Sequence, residues 1–245
     1  MKPILIVRTG RAPEVISHRH GDFPRWFQLG LRLRSPLVRI VDVEHGEALP
    51  DPAQCAGVIL TGSASMVTER LPWSERTAGW IRDAMDIELP MLGVCYGHQL
   101  MSHALGGRVD YLPGGREMGT VSLTTHADAS DDALGASLPG SFHAHATHEQ
   151  SVLELPPGAV SLARSDRDPN HLVRYGKHAI STQFHPEFSA EVMRAYIRRK
   201  AEVLRQEGQD PDALLASVAP TPKATQLLRG FLNEHVGMAR ELSAA

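Results

Sequence analysis

Residues 89–107 read Leu-Pro-Met-Leu-Gly-Val-Cys-Tyr-Gly-His-Gln-Leu-Met-Ser-His-Ala-Leu-Gly-Gly. Met91 to Val94 is short and apolar, Gly93 and Gly97 flank Cys95, and Gly106-Gly107 closes the run that follows. The pattern predicts a buried strand, one abrupt turn on Cys95 and a helix that stops at the glycine pair. The Gly-x-Cys-x-Gly spacing is that of a nucleophile elbow, where a tight strand-to-helix turn presents a side chain to a site. A thiol in that position faces unpaired backbone N–H groups and the positive end of the helix dipole, and both favour the thiolate.

On the amino-terminal side, Ile4–Val7, Leu37–Val43 and Ala56–Leu60 are short apolar, β-branched runs, each closed by loop residues. They read as strands of a parallel sheet, the first of them buried. The third stops at Thr61-Gly62-Ser63-Ala64-Ser65, a small-residue loop able to aim backbone N–H groups into a site. Asp22 is placed to cap a helix over Phe23–Leu33, and residues 73–88 carry Trp80, Ile81, Ala84 and Met85 on one helical face. This alternation predicts an α/β fold with a mostly parallel central sheet flanked by helices, its functional loops at the carboxyl ends of the strands. Cys95 and the Gly62 loop then share one edge.

Beyond Gly107 the pattern changes. Arg108–Tyr111, Thr120–Thr125, Phe142–Ala146, Ala159–Ala163, His171–Tyr175 and His178–Phe184 read as short strands, which predicts a small antiparallel extension. From Ser189 onward the chain reads as helical, over Ala190–Gln206, a short piece after Pro211, and Lys223–Val236. The expected division is a main domain over residues 1–190 and a helical extension packed on it over 191–245.

With 245 residues, 42% of them hydrophobic, the chain can bury a full core. A formal net charge of −3 gives no electrostatic reason to expect nucleic acid or an anionic membrane as partner. Cys55 and Cys95 are too few for a disulfide framework, and a functional thiol needs a reducing compartment, so the cytoplasm is the expected location. The opening Met-Lys-Pro-Ile-Leu-Ile-Val-Arg is too short an apolar run for a signal segment or membrane span and reads as the first strand.

A partner for the thiol stands at Gln183-Phe184-His185-Pro186-Glu187-Phe188, where a histidine and a carboxylate sit two residues apart in a proline-stiffened loop. A cysteine attacking a carbonyl needs a base that holds it as thiolate and later protonates the leaving amine, and histidine has a suitable pKa. Glu187 would orient the imidazole and stabilise its cation.

Gly93-Val-Cys95-Tyr-Gly97-His-Gln99, followed ninety residues after the cysteine by His185-Pro-Glu187, resembles the class I, or triad, glutamine amidotransferases, of the kind that forms the amidotransferase part of GMP synthetase. The likeness covers residues 1–190 in motif order and spacing. It implies a flavodoxin-like fold, a Cys95 nucleophile, a His185 proton shuttle oriented by Glu187, and an oxyanion hole from the Tyr96 N–H and the Gly62-Ser63 loop. It also implies that Gln99 and the Thr147-His148-Glu149-Gln150 stretch contact the substrate. Two departures stand out. Glu149 takes the place of the family's glycine in that stretch, and Gly62-Ser63-Ala64 stands in for its Gly-Gly-Pro.

The implied reaction expels ammonia from glutamine through a γ-glutamyl thioester, with no cofactor. His143, His145 and His148, among thirteen histidines, raise a metal reading, but no cysteine or arranged carboxylate accompanies them in sequence, and no metal is expected. No Gly-x-x-x-x-Gly-Lys-Ser/Thr loop occurs, and the 55 residues from 191 to 245 leave no room for an ATP-handling module. Three readings follow: a stand-alone amidotransferase-like hydrolase of a γ-glutamyl amide, glutamine first among the substrates; a γ-glutamyl peptidase using the same triad; and a non-catalytic regulatory subunit of that fold. A separate synthase subunit or a homodimer are the partners to consider.

Overall fold

The β-branched run at the start forms β1 (Ile4–Arg8) in the computed structural model, which describes residues 2–232 apart from 34, 128, 130 and 131. The chain continues through α1 (Glu14–His20), α2 (Phe23–Leu31), β2 (Val38–Asp42), β3 (Gly57–Leu60), α3 (Pro72–Asp86), β4 (Met91–Val94) and α4 (Tyr96–Ala104). Next come β5 (Arg108–Tyr111), β6 (Glu117–Thr125), α5 (Ala133–Ala136), β7 (Ser141–His148), β8 (Gln150–Glu154), β9 (Val160–Arg164), β10 (Leu172–Gly176) and β11 (Ala179–Thr182). Three helices close it: α6 (Ala190–Gln206), α7 (Pro211–Ser217) and α8 (Pro222–Phe231). The final positions of the helix expected to reach Val236 lie outside the described residues. Asp22 caps α2 as its sequence position predicts, its Oδ1 accepting from the Phe23 N–H at 2.8 Å. The helix α1 escapes a periodicity reading because only Ile16 of its seven residues is buried.

The strands form a nine-stranded sheet in the order β2-β1-β3-β4-β11-β10-β9-β6-β7. The β2-β1-β3-β4-β11 half is parallel, and from β11 outward each neighbour is antiparallel. The expected antiparallel extension therefore continues the same sheet, turned back by the β10–β11 hairpin, while β5 and β8 pair separately. Parallel pairing places the carboxyl ends of β1, β3, β4 and β11 on one edge. The Gly62 loop, Cys95 and the 183–188 loop leave the sheet there.

Alternation along each strand separates two cores. Ile4, Ile6, Ile59, Leu92, Val94 and Ile180 pack with residues of α1, α2, α6 and α8, while Leu5, Val7, Val58, Leu60 and Met91 pack with α3 and α4 on the other face. Met193, Ile197, Leu227, Leu228 and Phe231 of the last helices belong to the first cluster and are almost completely buried. Each such side chain contributes on the order of 1.5–3 kcal/mol, so these helices form part of the sandwich that seats the sheet. Among the described residues no helix is long and apolar enough to cross a membrane.

Candidate active site

The turn at Cys95 is tight because its neighbours have no side chains. A Cβ on Gly93 would lie 2.6 Å from the Gly97 carbonyl oxygen and the Met101 sulfur, and one on Gly97 would lie 2.5 Å from the Leu60 carbonyl oxygen. Glycine at both positions lets α4 run directly against β3 and β4. Cys95 itself takes φ 53°, ψ −101°, a backbone conformation that L residues rarely adopt. Such strain persists where surrounding contacts impose it. Here the Cys95 N–H donates to the Thr182 carbonyl at 2.8 Å and the Gly97 N–H to the Thr61 carbonyl at 3.1 Å. The Tyr96 N–H heads the helix, where first-turn donors have no intrahelical acceptor. The Tyr96 side chain leaves the site to meet Ser74 Oγ at 2.7 Å.

His185 is fixed from several sides. Its Nδ1 lies 2.8 Å from Glu187 Oε1, its ring stacks on Phe188 at a centroid distance of 4.0 Å, and its backbone N–H donates to the His145 carbonyl at 2.8 Å. Gly62 presses on the other side, since a Cβ there would meet His185 Cε1 at 3.1 Å and the Phe23 ring at 3.3 Å. Burial favours the neutral imidazole, but Glu187 and the Cys95 sulfur outweigh it and raise the pKa to about 10. Burial likewise pushes the Cys95 thiol up, yet the facing His185 charge, a hydrogen bond to His185 and the charge of His148 bring it below its ordinary value. Both shifts favour a buried thiolate–imidazolium pair.

The 147–150 stretch lies across the cysteine. Cys95 Sγ is 3.9 Å from the Thr147 carbonyl oxygen. The Gln150 carbonyl accepts from Gln99 Nε2 at 2.7 Å and faces His148 Nδ1 at 3.0 Å. Gln99 Nε2 also donates to Gln183 Oε1 at 2.9 Å, and the Gln150 carbonyl, which only accepts, fixes which end of the Gln99 amide is nitrogen. The Gln150 side chain turns to Thr68, and Glu149 pairs with Arg116 Nη1 at 2.6 Å and with Lys200 Nζ at 3.6 Å.

These elements enclose a cavity of about 290 Å³ lined by Ser63, Cys95, Tyr96, Gln99, Thr147, His148, Glu149, Gln150 and His185. Gly62 and Glu187 stand behind the His185 ring, so all the site residues expected from sequence converge. A family model described as glutamine amidotransferase class-I matches residues 31–203.

The chain belongs to the class I glutamine amidotransferase family.

Curated relatives include γ-glutamyl peptidase 5 of Arabidopsis thaliana, 30% identical over 202 residues that cover 80% of each chain. Another is the glutamine-hydrolyzing GMP synthase of Thermomicrobium roseum, 36% identical over 143 residues, or 58% of this chain and 25% of that protein. This chain thus matches about a quarter of that synthase. A solved glutamine amidotransferase from Thermotoga maritima has the same fold, with a TM-score of 0.77 over 96% of this chain and 99% of that one at 23% identity.

In this class I amidotransferase, several cavity residues carry no signal in the sequence. Arg116, Tyr196, Arg199 and Lys200 line the cavity, the last three from α6. Burial, then the negative charges of Glu187 and Cys95, push the Tyr196 hydroxyl up, which keeps it a neutral donor beside the site. Burial and Arg116 hold the Lys200 ammonium below its usual value against the pull of Glu149. The histidine triplet does not converge: His143 is exposed, His145 is buried, and His148 instead meets Glu117 and His171. Glu117, His148 and His171 each offer a ligand atom within 4.8 Å of the others, as do Asp42, Glu44 and His45. The first group's contacts of 2.7 and 2.9 Å are those of shared protons. Asp42 of the second is occupied by Arg8 and Arg11.

Proposed function

We propose that this chain hydrolyses the γ-amide bond of a γ-glutamyl compound, glutamine first among them, through a thioester on Cys95. The observation that carries this reading is the Cys95 elbow in one cavity with the buried His185–Glu187 pair. The Cys95 thiolate attacks the amide carbon, and the tetrahedral oxyanion forms against the Tyr96 N–H and a backbone N–H of the Gly62-Ser63 loop. His185 gives its proton to the amine as the C–N bond breaks. Water then attacks the thioester, His185 takes a proton from it, and glutamate leaves as the thiolate re-forms. Glu187 holds the imidazole orientation and supports its charge throughout. Both donors of the Gln99 amide are occupied, so Oε1 is left to accept from the substrate, and the Thr147-His148-Glu149-Gln150 stretch forms the wall over it.

A second reading, γ-glutamyl peptidase action, is favoured by one observation: the cavity runs past Cys95 to Glu149, Arg199 and Lys200, beyond what an ammonia leaving group needs. The match to γ-glutamyl peptidase 5 over 80% of both chains supports it too. A separate synthase partner draws support from a relative in Methanopyrus kandleri that is itself one subunit of a glutamine-hydrolyzing GMP synthase, 34% identical over 55% of this chain and 67% of that one. A panel of glutamine, γ-glutamyl dipeptides and glutathione, run with the wild type and Cys95→Ala, tests the proposal. Cys95-dependent release of glutamate from any of them is expected. Release that survives Cys95→Ala would overturn it, and dipeptide cleavage without glutamine turnover would select the second reading.

A further inference from the structure

Beneath the 147–150 wall lies a buried polar cluster for which the triad has no use. Glu117 at the start of β6, His148 at the end of β7 and His171 just before β10 are 4%, 4% and 0% exposed. Glu117 Oε2 is 2.9 Å from His148 Nε2 and 2.7 Å from His171 Nε2, while Oε1 accepts from Ser165 Oγ at 2.8 Å. The remaining His148 nitrogen, Nδ1, lies 3.0 Å from the Gln150 carbonyl oxygen.

Donor direction decides the protonation of this cluster. A carbonyl oxygen only accepts, so His148 Nδ1 carries a proton. A carboxylate also only accepts, and an ionised Glu117 takes Ser165 O–H on one oxygen and two imidazole N–H groups on the other. His148 then bears a proton on both nitrogens. His171 needs one, on Nε2, since its Nδ1 is buried with no acceptor among the described residues.

We propose that Glu117 holds His148 as a permanent imidazolium, and that His148 is a positioning residue which supplies a second positive charge beside Cys95 and keeps the sulfur ionised before substrate arrives. This rests on the reading of Cys95 as the nucleophile. It gives the two histidines different work. The proton of His185 is shared with the sulfur and leaves with the amine, whereas both protons of His148 are committed to protein acceptors, so its charge persists when His185 is neutral.

The titratable groups facing His148 are Glu117 from β6, Asp168 at 3.9 Å and His171 from the β9–β10 connection, His98 from α4, and Cys95. Burial opposes the charge on His148, but Glu117, Asp168 and Cys95 together raise its pKa. Burial would raise Glu117, yet its two histidine partners hold it well below the carboxylate range.

The test is the pH dependence of Cys95 alkylation by iodoacetamide, a neutral reagent, followed at the Cys95 peptide by mass spectrometry in the wild type, Glu117→Gln and His148→Gln. Loss of the carboxylate leaves His148 neutral, so both variants should raise the alkylation midpoint by about one unit or more. The sign for Glu117→Gln discriminates. A lone Glu117 anion beside a neutral His148 would instead lower the midpoint when removed, and a neutral cluster serving only to tie strands together would leave it unmoved; either result overturns the proposal. Nitrogen NMR of the wild type reads the ring directly and does not depend on the variants folding. Both His148 nitrogens should stay protonated above the ordinary histidine range, and a neutral ring there would contradict the assignment. A low wild-type midpoint left unchanged in both variants removes the role of His148 alone, whereas an ordinary wild-type midpoint removes the nucleophile reading with it.

Discussion

Replacing Glu187 by Gln removes one charge while keeping size and packing. His185 Nδ1 and Glu187 Oε1 are 2.8 Å apart, and the two side chains are 2% and 0% exposed. The second oxygen, Oε2, is buried with no hydrogen-bond partner among the described residues, so His185 is the partner there that compensates the carboxylate. Taking about 4 Å between the carboxylate and the centre of the ring charge, with an effective dielectric near 20, the attraction is about 4 kcal/mol. That is about three pKa units, enough to bring His185 from about 10 to about neutrality. In the proposed reaction the imidazolium protonates the leaving amine, so the same energy lost in the transition state amounts to about 10³-fold in kcat/KM. A Gln amide that donates to Nδ1 would impose the wrong tautomer and deepen the loss. The assay is glutamate release against pH with the best substrate of the panel. The expected result is a drop of about three decades carried mainly by kcat. A loss below about tenfold with an unshifted pH profile would refute the argument that Glu187 sustains the cation.

Further expectations concern the elbow, the two thiols and the acid limit. Gly97→Ala places a methyl 2.5 Å from the Leu60 carbonyl oxygen, so α4 must move off β3. A thermal melt should show a loss of about 1–3 kcal/mol, or several degrees, with a larger fractional loss of activity. Burial raises the Cys55 thiol whereas Cys95 is lowered, so limited alkylation near neutral pH should label Cys95 at least tenfold faster, as an order of magnitude; equal rates would count against an activated thiolate. Burial depresses His98 to about 3 and His145 to about 4. Below the ordinary value of 6.5 the unfolded chain binds protons that these folded rings refuse, so stability falls as pH drops from 6.5 toward 4. At pH 5 each ring should cost about 2 kcal/mol, and denaturant titrations should show His145→Gln recovering about half of that combined loss.

The legible parts of this chain were those written in local pattern. The strands β1, β3 and β4 are almost continuously buried apolar runs, α3 has one apolar face, and the Cys95 elbow is marked by glycines that sterics demand. The His185–Glu187 pair was readable because both residues sit on one stiff loop. The Glu117–His148–His171 cluster was not, since its members come from segments 23 to 54 positions apart and meet only when β6, β7 and the β9–β10 connection converge. Gln99 shows the same limit from the other side. Its helix position places it beside Cys95, but only the fold reveals that its amide donors are committed to Gln150 and Gln183. The short β8 buries Gln150 and Ser151, polar residues that give no apolar strand signal, and α1 buries only Ile16.

The central claim is a covalent γ-glutamyl group on the elbow cysteine, and acid-quenched mass spectrometry during turnover tests it most directly. With the preferred substrate, the wild type should gain the mass of one γ-glutamyl group on the peptide containing Cys95, and Cys95→Ala should show neither adduct nor turnover. An adduct on a different residue, or turnover that proceeds without Cys95, would contradict the account.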